Sequence, residues 1–346
     1  PVPPSNPALE GLTSMQFVHR MGLGWNLGNT MEACGDWIKS SEVSGFETAW
    51  GNPETTREMI DGIKAAGFGS VRIPVAWSNL MGNNHTINPA LLKRVRVIVD
   101  DVLAAGMIAM VNIHWDGGWW SHFPTAPEAT MRHYTRLWSQ IAEEFKDYPI
   151  QLVFESLNEE GCFNDVWDRY RSRDMDQKRK AYGILNEINQ TFVNLVRASG
   201  GVNVKRHLLI AGYATDIGLT SDPLFLVPQD PAGRCSVSVH YYSPPGFAIL
   251  EKDADWGKAQ RTWGTDAEIA ALERDMDTVK ERFVDLGIPI IVGEYGCPNK
   301  NKDPESVRLY LLKTAETCYR MGMCPMLWDA GGHFNRRTLR FEDPAL

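Results

Sequence analysis

Two glutamates, Glu159 and Glu294, each follow a short apolar run, in the segments LVFESLNEE and IPIIVGEYG. A pair of carboxyl groups can cleave a glycosidic bond when one protonates the leaving oxygen and the other attacks the anomeric carbon. The two groups then need different pKa values, so their surroundings must differ. An arginine beside one of them would keep that carboxylate charged, and Arg72 is the candidate.

Further polar and aromatic side chains occupy equivalent positions, where an apolar run ends. They are Asn26, Asn29, Arg72, Asn112, His114, Asn158, His240, Tyr242 and Trp328. The set has no lysine for a Schiff base, no serine in a G-x-S-x-G turn and no cluster typical of a two-metal hydrolase. Two carboxylates with neutral hydrogen-bonding groups and an aromatic platform favour glycoside cleavage.

The chain has 12 tryptophans, and three of them, Trp115, Trp119 and Trp120, lie in one glycine-rich segment. Flat aromatic faces suit the apolar faces of sugar rings. We therefore expect Trp119 and Trp120 to contact a ligand. For Trp25 and Trp138, packing in the core is the favoured interpretation.

The elements that must position these residues follow a repeated pattern, in which an amphipathic helix ends at glycine and an apolar strand begins. The junctions are at Gly67, Gly106, Gly287 and Gly322. Glycine supplies the left-handed cap that ends a helix. Eight strands are predicted near residues 22–28, 70–74, 107–113, 150–156, 207–211, 235–240, 288–293 and 324–328. Helices are predicted at 54–66, 88–105, 129–146, 175–198, 265–286 and 304–321.

Eight apolar strands in alternation with helices predict an α/β fold, a closed (β/α)₈ barrel in a single domain. An open doubly wound sheet is the alternative, but GLGWNLGNT lacks the glycine spacing of its phosphate loop. We expect residues 1–20 to form an N-terminal extension packed on the barrel and residues 21–346 to form the catalytic domain. The carboxyl ends of the strands would carry the active site.

Net charge and composition limit the kinds of partner and cofactor that we expect for this chain. A formal net charge of −8 disfavours nucleic acid and anionic membranes. The six cysteines, Cys162 among them, form no CxxC pair, and HExxH is absent, so we expect no metal and no cofactor. The cysteine count permits disulfides without choosing a pairing. The chain starts Pro-Val-Pro-Pro and has no long apolar run. We expect a secreted monomer that acts on a polysaccharide.

Eight ordered segments make the chain resemble glycoside hydrolase family 5, the large cellulase family, from about Gly22 to Pro344. They are GWNLGNTMEA, ETAWGNP, VRIPVAW, VNIHWDGGW, LVFESLNEE, VSVHYY, PIIVGEYG and PMLWDAGG. The first two are most similar to the branch of bacterial endoglucanases and xyloglucanases. The resemblance implies a retaining endo-β-1,4-glycanase that acts on plant cell-wall β-glucans by double displacement.

The resemblance also implies residue roles. Glu159 would be the acid/base and Glu294 the nucleophile, with Asn158 bonding the sugar 2-hydroxyl. The other implied substrate-site residues are Arg72 and Tyr242 around Glu294, His114 and His240 at the cleavage subsite, and Trp328 as the platform under the sugar. The chain departs from the family pattern at Glu160, where proline is usual, and at Trp115, where a second histidine is common.

Three other functions stay open at this stage. An endo-β-mannanase differs only in loops that contact the substrate. A non-catalytic glycan-binding barrel would lack one of the glutamates. A barrel enzyme for phosphorylated substrates would need a phosphate loop, for which WDAGGH is a weak candidate.

Overall fold

Eight parallel strands close into a barrel in the computed structural model, which describes residues 1–161 and 163–346. Cys162 lies outside the described residues. The strands are β1 (Gly24–Leu27), β2 (Ser70–Ile73), β3 (Ile108–Asn112), β4 (Leu152–Glu155), β5 (Leu208–Ala211), β6 (Cys235–Tyr241), β7 (Ile290–Tyr295) and β8 (Cys324–Asp329). β1 pairs with β2 on one side and with β8 on the other, which closes the sheet. The predicted (β/α)₈ barrel is confirmed, and each strand lies where the sequence placed it.

Helices lie around the outside of the barrel and at its amino end. They are α1 (Pro7–Glu10), α2 (Ser14–Arg20), α3 (Val43–Glu47), α4 (Arg57–Ala65), α5 (Pro89–Ala104), α6 (Pro127–Phe145), α7 (Met175–Ala198), α8 (Ile217–Thr220), α9 (Pro245–Ala248), α10 (Asp266–Arg282) and α11 (Pro304–Arg320). The six predicted helices correspond to α4, α5, α6, α7, α10 and α11. The very short α3, α8 and α9 have too few turns to show a periodic apolar face.

Local signals set the helix ends. The side chain of Asn88 accepts hydrogen bonds from the first turn of α5, and Asp303 does the same for α11. Proline follows each cap at the first helical position, where its missing N–H costs nothing. Gly106 has φ of 79°, a conformation that costs a residue with a Cβ energy, so the chain can turn there from α5 into β3.

Strands are buried on both faces, so they are apolar almost throughout. Outward-facing residues pack under the helices in a core that includes Trp25, Val71 and Trp138. Inward-facing residues, such as Met110 and Met326, form a second core inside the barrel together with Leu9 and Phe17. Polar inward-facing residues are concentrated at the other end, which leaves that end as the chemically active face.

Helices α1 and α2 close the amino end of the barrel. Phe17 lies within the inner core and stacks on His207 with ring centroids 3.8 Å apart. Gln151, just before β4, accepts a hydrogen bond from the backbone N–H of Asn6. The apolar contacts show why this segment stays on the barrel. The domain boundary at residue 20 stays a prediction.

Two short strands follow the barrel, β9 (Phe334–Asn335) and β10 (Arg340–Phe341), which pair antiparallel. In the described part of the chain, no helix combines the length and apolar character needed to cross a membrane. The five described cysteines, Cys34, Cys235, Cys297, Cys318 and Cys324, have free thiols.

Candidate active site

Arg72 is the centre of the polar face, at the carboxyl end of β2. Its guanidinium is fully buried and uses every N–H it has. Nε and Nη2 donate to the two carboxylate oxygens of Glu155, each over 2.7 Å. The remaining donors reach Glu294, Asn26 and Asn158 over 2.7 to 3.0 Å. A planar cation with five fixed donors thus orients side chains from β1, β4 and β7 at once.

Glu294 is held from both sides. Nη1 of Arg72 donates to its Oε1 over 2.7 Å, and the hydroxyl of Tyr242 donates to its Oε2 over 2.8 Å. A β-bulge precedes it, since Val292 pairs with Val239 whereas Glu294 pairs with His240. The extra residue, Gly293, leaves room for the His240 ring, because a Cβ there would lie 3.2 Å from Nε2. Bulges re-aim the side chain that follows, and this one aims Glu294 into the barrel opening.

Glu159 follows β4 and lies half in solvent, with 48% of its side chain exposed. Its Oε1 lies 2.7 Å from Nδ1 of His240. Burial raises the pKa of Glu159, but the hydrogen bond and the electrostatic effect of His240, together with the charge of Arg72, outweigh this and place the pKa below its ordinary value. Without substrate, Glu159 is therefore ionised at neutral pH.

The two glutamates come together although β4 and β7 are separated by β5 and β6. One carboxylate oxygen of Glu159, one of Glu294 and a ring nitrogen of His240 all lie within 4.8 Å of one another. Retaining glycosidases have carboxyl groups about 5–5.5 Å apart, and inverting ones about 6.5–9.5 Å. The spacing here is that of a retaining enzyme, in which one carboxylate attacks the sugar directly.

The same three side chains have the atom types of a metal site. Each is already engaged, however: Arg72 and Tyr242 bind Glu294, and His240 binds Glu159. The donor N–H and O–H groups that face the carboxylates favour acid–base and nucleophilic chemistry over metal coordination.

His114 and Trp328 form an aromatic wall, with rings nearly parallel and centroids 5.8 Å apart. Burial, and next the charge of Arg72, lower the pKa of His114 to about 3, so its ring is neutral. Asn112 accepts from the N–H of Val75, which turns its amide N–H toward Nδ1 of His114 over 3.2 Å. The ring proton therefore lies on Nε2, where it is available to a substrate hydroxyl.

A cleft of about 750 Å³ opens over these residues. The predicted site residues His114, Asn158, Glu159, Tyr242, Glu294 and Trp328 line it. Its far side is formed by loops that follow β6, β7 and β8. This is the size of a site for an extended ligand.

Residues 31–333 match the family model for cellulase, glycosyl hydrolase family 5. The chain belongs to glycosyl hydrolase family 5. It is 35% identical over 352 residues to endoglucanase B of Clostridium cellulovorans, which covers 97% of this chain and 74% of that protein. It is also 36% identical to the xyloglucan-specific endo-beta-1,4-glucanase of Bacteroides ovatus, over 95% of this chain and 67% of that protein.

Solved structures of family 5 enzymes are also similar to this chain. A glycoside hydrolase 5 lichenase variant from Caldicellulosiruptor sp. F32 in complex with cellotetraose superposes with a TM-score of 0.88 at 30% identity, over 99% of this chain and 96% of that one. A broad-specificity endoglucanase from an uncultured bovine rumen ciliate superposes with a TM-score of 0.86 at 34% identity, over 96% and 95%. These matches confirm the predicted family, the glycoside hydrolase class and an endo-acting β-glucanase of the retaining type.

Three residues predicted to bind substrate do not line the cleft: Asn26, Arg72 and His240, whose side chain is 3% exposed. Asn26 is fully buried; its amide donates to the carbonyl of Gly293 and its oxygen accepts from Arg72. Arg72 itself has no exposed surface. Asn26 and Arg72 therefore position other side chains, and His240 reaches the cleft through its hydrogen bond with Glu159. Asn158 differs, because its oxygen is occupied by Arg72 and its amide N–H remains for the substrate.

Trp119 and Trp120, which the sequence suggested as ligand contacts, do not line the cleft. Trp120 is buried, and its indole N–H donates to the carbonyl of Trp115. Trp119 donates to Asp116 and stacks on His133 with centroids 4.0 Å apart. The short turn after β3 points these rings back to the helices, and it leaves Trp115 half exposed instead.

Glu160, the departure from the family pattern, turns inward and is 1% exposed. Burial, and then the nearby carboxylates of Glu159 and Glu155, raise its pKa well above the ordinary value. Its carboxyl group therefore favours the neutral form more strongly than an exposed glutamate does.

Sequence reasoning did not identify several residues that shape the site. The side chain of Asp329 accepts from the indole of Trp25 and from three backbone N–H groups, including that of Phe334, which fixes the chain after Trp328. Arg336 bridges the carbonyls of Gly28 and Asp329. Arg336 lies in a loop, where no periodic pattern marks it, whereas Asp329 is the last residue of β8. The strand-end position of Asp329 was the available signal.

Proposed function

We propose that this family 5 enzyme cleaves β-1,4-linked glucan backbones by double displacement, with Glu294 as nucleophile and Glu159 as acid/base. The observation that carries this proposal is the pair of carboxylate oxygens within 4.8 Å across the cleft, one fixed by Arg72 and the other half exposed. A fixed, charged carboxylate suits attack, and an adjustable one suits proton transfer.

In the first step Glu294 attacks the anomeric carbon while the bond to the leaving oxygen breaks. Glu159 transfers its proton to that oxygen, and a covalent glycosyl-enzyme results. Donors from Arg72 and Tyr242 hold the attacking carboxylate in one orientation, which reduces the entropy cost of reaching the transition state.

In the second step Glu159, now ionised, takes a proton from water, whose oxygen attacks the anomeric carbon and releases Glu294. Two inversions at one carbon give net retention. The Nδ1–H of His240 stabilises the charge on Glu159 during this half of the cycle.

The acid role requires a protonated Glu159 in the substrate complex, although its pKa is lowered in the free enzyme. A sugar over the half-exposed carboxyl group removes water, and desolvation raises the pKa of a carboxylate. Substrate binding therefore supplies the change in protonation that the first step needs.

The polymeric substrate supports a secreted enzyme, because such a chain cannot enter a cell intact. All residues of the proposed mechanism come from one chain, which supports action as a monomer. The net charge of −8 supports the absence of a nucleic-acid partner.

The test uses a panel of soluble cellulose derivatives, mixed-linkage glucan, xyloglucan and mannan, with products sized over time. We expect early mid-chain cuts in glucans and, by NMR of fresh products, the β-anomer first. Initial release of the α-anomer would contradict the mechanism. Greater activity on mannan than on every glucan would favour the β-mannanase alternative.

The assignment of Glu294 as nucleophile is tested by a variant with a matched control. Glu294→Ala should lower turnover at least about 10³-fold while the fold persists, because the covalent route is lost. Glu305→Ala, an exposed glutamate in the first turn of α11, should be near wild type. Activity of Glu294→Ala within tenfold of wild type would remove Glu294 from the nucleophile role.

A further inference from the structure

The chain carries two Asn-x-Thr motifs, at Asn84 and Asn189, and neither has a part in the mechanism described above. This tripeptide, with any residue except proline in the middle, is the acceptor for N-linked glycans in eukaryotic secretory pathways. The motif alone is not sufficient, because the modified asparagine has to carry a bulky, hydrated oligosaccharide. The two asparagines differ in whether the fold leaves room for one.

Asn84 lies in a tight turn, residues 82–86, between β2 and α5. The N–H of Gly82 donates to the carbonyl of Thr86 over 2.8 Å, and the N–H of Thr86 donates to the carbonyl of Asn83 over 3.2 Å. Asn84 has φ of 54°, in the left-handed region, where asparagine is enriched. Asn84 and Thr86 are both exposed, and neither side chain hydrogen-bonds another residue in the described part of the chain. The amide and the hydroxyl that a transferase recognises are therefore accessible.

The turn is anchored on helix α6, which lies outside the barrel. The amide N–H of Gln140, in α6, donates to the carbonyl of His85 over 2.8 Å, and the amide oxygen of Gln140 accepts from the N–H of Ile87 over 2.9 Å. The ring of His85 stacks on His133, also in α6, with centroids 3.9 Å apart. None of residues 82–86 lines the cleft. A glycan attached at this turn would therefore extend into solvent without entering the active site.

Asn189 is fully buried in α7, on the face that packs against the barrel. Its Oδ1 accepts from the hydroxyl of Ser156 over 2.9 Å, and its Nδ2 donates to the carbonyl of Ala211 over 2.9 Å. A glycan would be attached to Nδ2, so it would place hydrated sugars among close-packed residues of the core. A chain modified at Asn189 could not reach this fold.

We propose that Asn84 is a modification site, which accepts an N-linked oligosaccharide when the chain passes through a secretory pathway with an oligosaccharyltransferase, and that folded protein carries none at Asn189. The donor is an oligosaccharide on a lipid diphosphate. The bond from the anomeric carbon of its first sugar to the diphosphate oxygen breaks, and that carbon bonds to Nδ2 of Asn84. Nδ2 loses one proton, and the lipid diphosphate leaves. The proposal goes beyond the proposed function, because it involves no residue of the cleft.

The test is expression of residues 1–346 behind a cleavable secretory signal, in a eukaryotic host that adds high-mannose glycans. We expect the secreted, folded protein to carry a single glycan, seen as a mobility shift on gels that endoglycosidase H removes. Tandem mass spectrometry of the digested protein should find one residual N-acetylglucosamine on the peptide that contains Asn84. The peptide that contains Asn189 should be unmodified.

Variants of the turn identify the acceptor. Asn84→Gln should abolish the mobility shift, and so should Thr86→Val, which keeps the asparagine but removes the hydroxyl of the motif. Thr86→Ser keeps a hydroxyl and should still be modified. Asn83→Gln, at an exposed neighbour outside the motif, is the matched control and should be modified like wild type. Circular dichroism and the thermal midpoint establish that each variant is folded.

Three results would overturn the modification site. They are secreted protein without a glycan on Asn84, folded protein with a glycan on Asn189, and a mobility shift that persists in both Asn84→Gln and Thr86→Val. The outcome for the proposed function is separate. Protein that carries the glycan on Asn84 but cleaves no glucan would contradict the proposed function and leave the modification site in place.

Discussion

Arg72 and Glu294 form a buried ion pair in which Nη1 lies 2.7 Å from Oε1, with side chains 0% and 7% exposed. The same guanidinium holds Glu155 with two parallel hydrogen bonds. Because a lysine has neither the fork nor five donors, Arg72→Lys leaves buried acceptors unpaired. We expect about 3–5 kcal/mol loss of unfolding free energy and a fall in kcat of about 100-fold or more.

The matched control is Arg94→Lys. Arg94 makes a similar fork with Glu47, but between α5 and α3, away from the cleft. The Arg94→Lys variant should have a lower free energy of unfolding, measured by urea titration. Its kcat per folded molecule should be unchanged. If Arg72→Lys behaved like this control, the guanidinium would be a stabilising group only.

Glu159→Ala should slow hydrolysis of polysaccharide about 10²–10⁴-fold, because an alkoxide leaving group needs a proton. An aryl glycoside with a good leaving group needs none, so its first step should be nearly unchanged and covalent intermediate should accumulate. Burst kinetics and mass spectrometry measure this. Glu143→Ala, exposed on α6, is the control. If the rate of the first step fell equally on polysaccharide and on the aryl glycoside, that result would count against the acid role of Glu159.

Trp328→Ala should lower kcat/KM about tenfold or more, because the sugar loses an aromatic face and His114 loses its stacking partner. Steady-state kinetics on cello-oligosaccharides measure the loss. Tyr319→Ala removes a partly exposed ring that lies against His19 in α2, near the amino end of the barrel. That variant should keep full activity. Unchanged kinetics for Trp328→Ala would contradict the role of Trp328 as the platform under the sugar.

Acid stability should depend on Asp230. Burial raises the pKa of Asp230, but the two hydrogen bonds from Arg197 and the backbone N–H groups lower it to about 2. Because the pKa of Asp230 in the folded state is below its ordinary value of 3.8, the ionised carboxylate stabilises the fold at higher pH. That stabilisation is complete above about pH 5 and is lost as the pH falls toward 2.

Asp230→Asn should therefore cost about 2 kcal/mol at pH 7 and progressively less below pH 4. Urea unfolding of wild type and variant at matched pH values measures the difference, in which other titrating groups cancel. A deficit that stays constant from pH 7 to pH 2.5 would show that the Asp230 charge is not its source.

The strands, the main helices and the positions of the strand-end residues could be predicted from the chain because each depends on neighbours in sequence. Gly106 turns one helix into the next strand, and Asn88 caps the helix before it. Glu159 and Glu294 were found by the same logic, since parallel strands bring their carboxyl ends to one face. The approach of their carboxylate oxygens to within 4.8 Å follows only after the barrel closes.

Side-chain direction was decided by the tertiary structure. Trp119 and Trp120 lie in a loop, where no period indicates which way a ring points, and they turned toward the helices. The far side of the cleft joins three loops that are distant in sequence, tied by contacts such as Asn299 to Gly332. Local sequence thus determined which residues stand at strand ends, because backbone hydrogen bonding and alternation are short-range; long-range packing alone decided which of them face a ligand.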